Sequence, residues 1–324
     1  MRQGWSGLVP AVAVPEDGDE AMNDLVILNE RYAIPGHLHF ASGPGGLTVA
    51  EIANRAGRAR VALHGAHVLE FQPQGARPVL WLSGQSWFCA DKPIRGGIPV
   101  CWPWFGAHPS DPSLPAHGFA RLSPWQVERT WAEGDGLTGL RLALKDSETT
   151  RRLWDHAFDL ALEVTVGTEL DLALVLRNPG PTPLTVSAAL HTYFAVGEVT
   201  RVRVLGFDGC PTLNTVGGAN TRGIQAGPIT VNAETDLVIQ NCAGEAVIED
   251  ESWQRRLRLR KQGSNSAVVW NPWIAKAKRM PDFGDDEYPG MLCVETTNAR
   301  EDARTVGPGA THRLQATLGV APLP

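Results

Sequence analysis

The chain has 324 residues, of which 43% are hydrophobic and 20% are charged, a composition typical of a globular protein. Its formal net charge of −6 argues against a nucleic-acid partner, because phosphate backbones bind basic surfaces. The apolar runs are too short to cross a membrane as helices, and the first residues lack the pattern of a secretory signal peptide. We therefore expect a cytoplasmic protein without a membrane partner.

The five cysteines predict neither a disulfide framework nor a structural zinc site. Their number is odd and no two of them have the C-x-x-C spacing that such sites use. We expect them to be buried free thiols. They are Cys89, Cys101, Cys210, Cys242 and Cys293.

Along the chain, residues 1–25 mix proline, glycine and acidic residues without a period, which predicts a loose leader. Strand signals dominate from residue 26 onward. The clearest is a hairpin between Phe158 and Arg177, where FDLALEVTVG and ELDLALVLRN each alternate apolar and polar residues. Such alternation places one face of a strand in a core and the other in water.

Helical patterns are weak, whereas 34 glycines and 24 prolines fit many short strands that are joined by turns. The sequence contains no repeat typical of a propeller and no strand–GxGxxG–helix unit typical of a dinucleotide fold. We predict an all-β protein with few short helices, in which residues 26–324 form one large, mostly antiparallel β-sandwich.

Four segments interrupt the alternation and concentrate polar groups. The first, DKPIRGGIPVCWPWFG (Asp91–Gly106), places Arg95 before two glycines and close to several aromatic residues. Glycines permit a positive φ and a close approach of the backbone to a ligand, and aromatic faces beside a cation suit a sugar that carries an anion. A tight turn with aromatic core packing would explain the aromatics equally well.

The second segment, PAHGFAR (Pro115–Arg121), places His117 on a loop rich in proline and glycine, where binding groups tend to lie. Arg121 at its end is interpreted as a framework residue that binds loop carbonyl groups. The third, ALHTYF (Ala189–Phe194), presents His191 inside an apolar strand, where its ring needs a hydrogen-bond partner. Taken alone, each histidine fits a structural role as well as a catalytic one.

The fourth segment, MLCVETTNA (Met291–Ala299), places Glu295 after a run of apolar residues. A carboxylate in such a run is costly to bury without a partner, and burial raises its pKa towards that of a useful general base. The alternative is an edge-strand glutamate that faces water.

Together, these segments identify a resemblance to a known family. The strings RGGIPVCWPWFG, HGFAR, ALHTYF and WNPW, in this order, resemble the hexose-6-phosphate mutarotase branch of the aldose 1-epimerase superfamily over residues 40–318. The resemblance implies a large twisted β-sandwich, related to that of galactose mutarotases. It also implies interconversion of the α and β anomers of an aldose, without a metal or another cofactor.

The resemblance also implies a role for individual residues. His191 matches the acid of the family, Glu295 matches its base, and His117 matches a second histidine that binds substrate. Arg95 matches an arginine of the sugar pocket, and Asp236, in AETDLVI, matches an aspartate that holds sugar hydroxyls.

Two assignments remain open at the level of sequence. Asp208, in LGFDGC, competes with Asp236 as the substrate aspartate. Lys92 and Arg95 are the candidates for contact with a substrate phosphate, because a guanidinium matches phosphate oxygens and an ammonium adds a point charge. The basic residues in 276–279 either assist them or form a solvated loop.

The sequence thus predicts a monomeric, cofactor-free epimerase for a small-molecule sugar phosphate, with glucose 6-phosphate as the expected substrate. Two alternatives are an epimerase for free aldoses and a non-catalytic carbohydrate-binding sandwich. The pairing of His191 with Glu295 favours an enzyme, because a binding module needs hydroxyl partners but no acid–base pair.

Overall fold

The computed structural model describes residues 17–324, with side chains from residue 24 onward. Residues 1–16 of the predicted leader lie outside the described residues, and residues 17–25 form the start of helix α1 (Asp17–Tyr32). Two short helices follow, α2 (Glu148–Leu153) and α3 (Trp273–Ala277). None of the described helices is long and apolar enough to cross a membrane.

Strands make up most of the regular structure. The first strands are β1 (Leu38–Ser42), β2 (Thr48–Ala53), β3 (Gly57–Ala62), β4 (His67–Pro73), β5 (Val100–Cys101), β6 (Gln126–Glu133), β7 (Leu137–Lys145), β8 (Asp159–Val166), β9 (Leu170–Arg177), β10 (Leu184–Val186) and β11 (Ala188–Leu190). The remaining strands are β12 (Tyr193–Ala195), β13 (Val202–Leu205), β14 (Pro211–Asn214), β15 (Thr221–Ile224), β16 (Thr235–Ile239), β17 (Ala246–Asp250), β18 (Arg255–Gln262), β19 (Ser266–Asn271), β20 (Met291–Asn298), β21 (Arg304–Val306) and β22 (Thr311–Pro322).

Two eight-stranded antiparallel sheets dominate the architecture. Sheet I has the order β15-β14-β16-β19-β20-β11-β5, and β12 also pairs with β20. Sheet II has the order β13-β17-β18-β22-β9-β8-β7-β6. A four-stranded sheet, β1 to β4, and the short pair β10–β21 complete the pairing. The all-β, mostly antiparallel fold is confirmed, and the predicted hairpin is β8–β9, in register from Asp159–Arg177 to Val166–Leu170.

Alternation of apolar and charged residues explains why sheet II faces a core on one side only. In β18, Leu257 and Leu259 point inward and are almost fully buried, whereas Arg256 and Arg258 lie on the outer face. The inward side chains of sheet II join those of sheet I, such as Val294, in one buried cluster. The main core therefore lies between the two sheets, as in other β-sandwiches.

Strand β20 of sheet I is buried along its whole length because both faces of that sheet are covered. Leu292 and Val294 point into the main core, while Met291 and Cys293 belong to a second cluster on the opposite face. That second face, which also carries Tyr193, is the floor of the candidate site described below.

Candidate active site

Strand register brings His191 and Glu295 together. Leu190 of β11 pairs with Thr296, and Tyr193 of β12 pairs with Cys293, so the intervening His191 lies opposite Glu295. The histidine Nε2 and the glutamate Oε1 are 3.2 Å apart, and the two side chains are 11% and 1% exposed. The two polar groups that interrupt apolar strands in the sequence are therefore direct partners.

Burial shifts both members of this pair towards their uncharged forms. It raises the pKa of Glu295 well above the usual range of a carboxyl, and the negative charge of Asp236 adds to this rise. It lowers the pKa of His191 well below the usual value of an imidazole, and nearby His117 and Arg95 lower it further. Because the two groups interact so closely, they titrate as a pair and not as separate residues.

The pair has unused hydrogen-bonding capacity at the bottom of a large cavity. Glu295 Oε2 and His191 Nδ1 are buried and have no partner among residues 24–324. Such atoms are normally satisfied in folded proteins, by water or by a ligand where no protein group is near. The cavity that both residues line has a volume of about 940 Å³, which suits a ligand of the size of a sugar phosphate.

Arg95 lines the same cavity and is held from two sides. Its Nε and Nη2 donate to Oδ2 of Asp282 at 3.2 and 3.0 Å, and its Nη1 donates to the hydroxyl of Tyr193 at 3.0 Å. Burial disfavours the charge of Arg95, but the interactions with Tyr193 and Asp282 outweigh it and raise the pKa of the guanidinium. Arg95 is therefore cationic under all ordinary conditions.

The two glycines after Arg95 are required by the protein's own backbone. Gly97 has a φ of +59°, and a Cβ atom at this position would stand 2.2 Å from the carbonyl oxygen of Val68 in β4. Gly96 has a φ of +109° and leaves a similarly short distance to Leu82. The close approach expected from the sequence is thus made to β4 and to the segment around Leu82, and it fixes the position of the turn that carries Arg95.

His117 lies above the acid–base pair in a strained conformation. Its φ of +63° falls in the left-handed region that non-glycine residues seldom adopt, and its backbone N–H donates to the carbonyl of Gly106 at 2.6 Å. Its ring packs edge-on against that of His191, with centroids 5.8 Å apart. Burial, with the positive charges of Arg121 and Arg95, lowers the pKa of His117 to about 3, so the ring is neutral.

The cavity selects between the two candidate aspartates. Asp236 in β16 lines it, whereas Asp208 lies outside its lining and accepts the backbone N–H of Gly227. Burial raises the pKa of Asp236, and its Oδ2 is 4.0 Å from Nζ of Lys276, which also lines the cavity. Asp236, not Asp208, can therefore contact a ligand held by the pair.

The structure places Lys92 away from the other predicted site residues. It is absent from the cavity lining, and its Nζ lies 5.6 Å from the ring centroid of Trp87 and 4.0 Å from a carboxylate oxygen of Asp91. Arg121, in contrast, takes the framework role inferred from sequence, since it donates to the carbonyl of Ala116 at 2.7 Å. Arg95, His117, His191, Asp236 and Glu295 all line the cavity.

Sequence reasoning missed two residues of this site. Tyr193 stands two positions from His191, so strand alternation puts both on one face, and their rings stack with centroids 4.8 Å apart. That period-two signal was available in the sequence. Asp282, the partner of Arg95, lies in a loop without regular periodicity, and nothing local marks it.

Comparisons with known proteins identify the family of this chain. Residues 48–318 match the family model described as aldose 1-epimerase. The chain belongs to the aldose 1-epimerase family. It is 37% identical over 259 residues to an Escherichia coli K12 protein, covering 80% of this chain and 86% of that one. It is 34% identical over 272 residues to a Cenchrus ciliaris protein, covering 82% of each. Both carry the name "Putative glucose-6-phosphate 1-epimerase".

A solved structure gives the same result at the level of the fold. The "putative mutarotase" of Salmonella typhimurium superposes with a TM-score of 0.84 at 31% identity, covering 93% of this chain and 99% of that one. The protein is thus an enzyme of a family that interconverts sugar anomers. Residues 24–324 contain no group of three or more histidine, cysteine, aspartate or glutamate side chains arranged to hold a metal ion.

Proposed function

We propose that this epimerase interconverts the α and β anomers of hexose 6-phosphates, with glucose 6-phosphate as the main substrate, and that it needs no cofactor. The observation that carries the proposal is the contact of 3.2 Å between His191 and Glu295 at the bottom of a cavity. The names of the relatives from Escherichia coli and Cenchrus ciliaris support the choice of substrate.

Anomer exchange needs two coupled proton transfers. The Glu295 carboxylate takes the proton of the C1 hydroxyl while the protonated His191 ring delivers a proton to the ring oxygen, so the pyranose opens to the aldehyde and the pair becomes uncharged. The C1–C2 bond then rotates, and ring closure returns both protons in the opposite sense. The pair carries one proton before and after each transfer, so its total charge does not change inside a buried site.

The remaining cavity residues bind the substrate in this proposal. Asp236 accepts hydrogen bonds from sugar hydroxyls, and the neutral ring of His117 offers a further nitrogen for a hydrogen bond. Arg95 is assigned to the 6-phosphate, because a guanidinium offers a planar fork for phosphate oxygens and this one lines the cavity. Lys92 is not assigned a contact, since it lies away from the cavity lining.

The test is anomer exchange measured by NMR on glucose 6-phosphate, glucose and galactose, with the spontaneous rate measured without protein. We expect exchange of glucose 6-phosphate to be accelerated most strongly. A preference for free galactose or glucose would overturn the phosphate assignment and leave the acid–base pair in place. Binding of these sugars without any acceleration would instead identify a carbohydrate-binding sandwich.

A further inference from the structure

We propose that Asp282 is a positioning residue for this reaction, which orients the guanidinium of Arg95 towards the substrate. The inference rests on the proposed function, because it assigns Arg95 a contact with the sugar phosphate. It starts from the buried network in which Asp282, Arg95 and Tyr193 are joined by hydrogen bonds.

The geometry of the network fixes the plane of the guanidinium. One oxygen of Asp282 accepts from both Nε and Nη2 of Arg95, and the Tyr193 hydroxyl accepts from Nη1. A guanidinium has five N–H donors, so one hydrogen remains on each Nη. No partner for these two hydrogens occurs among residues 24–324. They are the donors available to an anion in the cavity that Arg95 lines.

Asp282 is itself held rigidly, as a positioning residue must be. Its neighbour Phe283 is 2% exposed and packs on Trp81 with ring centroids 4.9 Å apart. Further along the same loop, Glu287 accepts hydrogen bonds from the Ser83 hydroxyl at 2.7 Å and from the Gly84 backbone at 2.9 Å. The loop is therefore held by packing and by hydrogen bonds on the C-terminal side of Asp282.

A purely stabilising role explains this ion pair poorly. The side chains of Arg95 and Asp282 are only 22% and 6% exposed, and taking both charges out of water offsets much of their attraction. The network also reaches the acid, because the ring of Tyr193 stacks on that of His191 at an angle of 17°. A network that fixes both the guanidinium of Arg95 and the Tyr193 ring beside His191 would hold groups of the site in position for catalysis.

The test is a double-mutant cycle on Arg95→Ala and Asp282→Ala, read as kcat and KM for glucose 6-phosphate. We expect each single variant to raise KM about tenfold or more, with a smaller change in kcat, because a charge-assisted contact is lost or misdirected. In the Arg95→Ala background, Asp282→Ala should change KM no further, since an aspartate that acts through the arginine has nothing left to orient.

Two further variants complete the design. Asp285→Ala changes an exposed aspartate of the same loop and should leave KM unchanged. Asp282→Asn keeps the shape and one acceptor oxygen, so it should recover part of the loss and also serves if Asp282→Ala does not fold. Unfolding in denaturant checks that each variant is native before kinetics are compared.

The outcomes separate this inference from the proposed function. The positioning role would be overturned if Asp282→Ala raised KM equally in the wild type and in the Arg95→Ala variant. It would also be overturned if Asp282→Ala did not change KM in the wild type. If the wild type exchanges glucose but not glucose 6-phosphate, the phosphate proposal fails and the cycle is run on glucose. If no sugar is turned over, the same cycle is read from the rise in unfolding temperature that glucose 6-phosphate produces on binding.

Discussion

At the scale of single residues, the chemistry depends on where two ordinary side chains are buried. The same burial that raises the pKa of Glu295 lowers that of His191, so both shifts favour the uncharged form of the pair, which is the form that ring opening leaves behind. At the unpartnered atoms of the pair, a sugar hydroxyl would give its proton to Glu295 and a ring oxygen would receive one from His191, so the transfer creates no new charge in the buried site.

Substitution of either member tests this assignment. We expect Glu295→Gln and His191→Ala each to slow anomer exchange by about 100-fold or more, the usual loss when a general acid or base is removed. Glu251→Gln and His39→Ala, which change exposed residues of the same types, are the matched controls. Folded variants of the pair that keep a near-normal exchange rate, measured by NMR, would contradict the assignment.

At the scale of elements, the turn that carries Arg95 depends on the absence of side chains. It passes so close to β4 that residue 97 has no room for a Cβ atom, and Nε2 of His67 at the start of β4 donates a hydrogen bond to the carbonyl oxygen of Gly96, 2.7 Å away. The arginine is therefore placed by contacts between backbone segments, which are less adaptable than side chains.

Gly97→Ala should consequently destabilise the protein strongly. The left-handed φ costs roughly 1–2 kcal/mol for an alanine, and the clash with Val68 adds to it, for a total on the order of 3 kcal/mol. Gly75→Ala is the matched control, because φ there is +72° and nothing lies within 4 Å of the added carbon. The measurement is the free energy of unfolding in urea, and equal losses for both variants would refute the packing argument.

At the scale of the whole molecule, burying neutral histidines under the site makes stability depend on acidity. His67 is 1% exposed, and burial lowers its pKa to about 3, from an ordinary value of 6.5. Below pH 6.5 the His67 ring is therefore protonated in the unfolded chain but stays neutral in the folded protein. The contribution of His67 to the free energy of unfolding falls as the pH decreases from about 6.5 to about 3.

His67→Gln isolates this contribution. The variant should be less stable than the wild type at neutral pH, because the hydrogen bond to Gly96 is weakened. The difference in free energy of unfolding between wild type and variant should narrow by up to about 1.4 kcal/mol for each pH unit below 6.5, since only the wild type carries the titrating ring. Urea unfolding at several pH values measures this difference, and His39→Asn, which changes an exposed histidine, is the control. A difference in free energy of unfolding that does not change with pH would contradict the lowered pKa of His67.

Local sequence determined the β-sandwich and most of the reactive groups. Period-two alternation is a property of the strand itself, so the β8–β9 hairpin could be predicted without knowing what it packs against. A polar residue within an apolar strand is equally local, because its burial demands a partner. This is why His191 and Glu295 were identified as candidates before any contact between them was known.

Only the tertiary structure decided which candidates meet. Register along β20 places Glu295 opposite His191, and the cavity admits Asp236 while leaving Lys92 and Asp208 outside. The pairing of Arg95 with Asp282 joins residues 187 positions apart, across a loop that carries no periodic signal. Contacts of this kind are set by strand register and loop packing over the whole sandwich, which local patterns of charge and hydrophobicity do not specify.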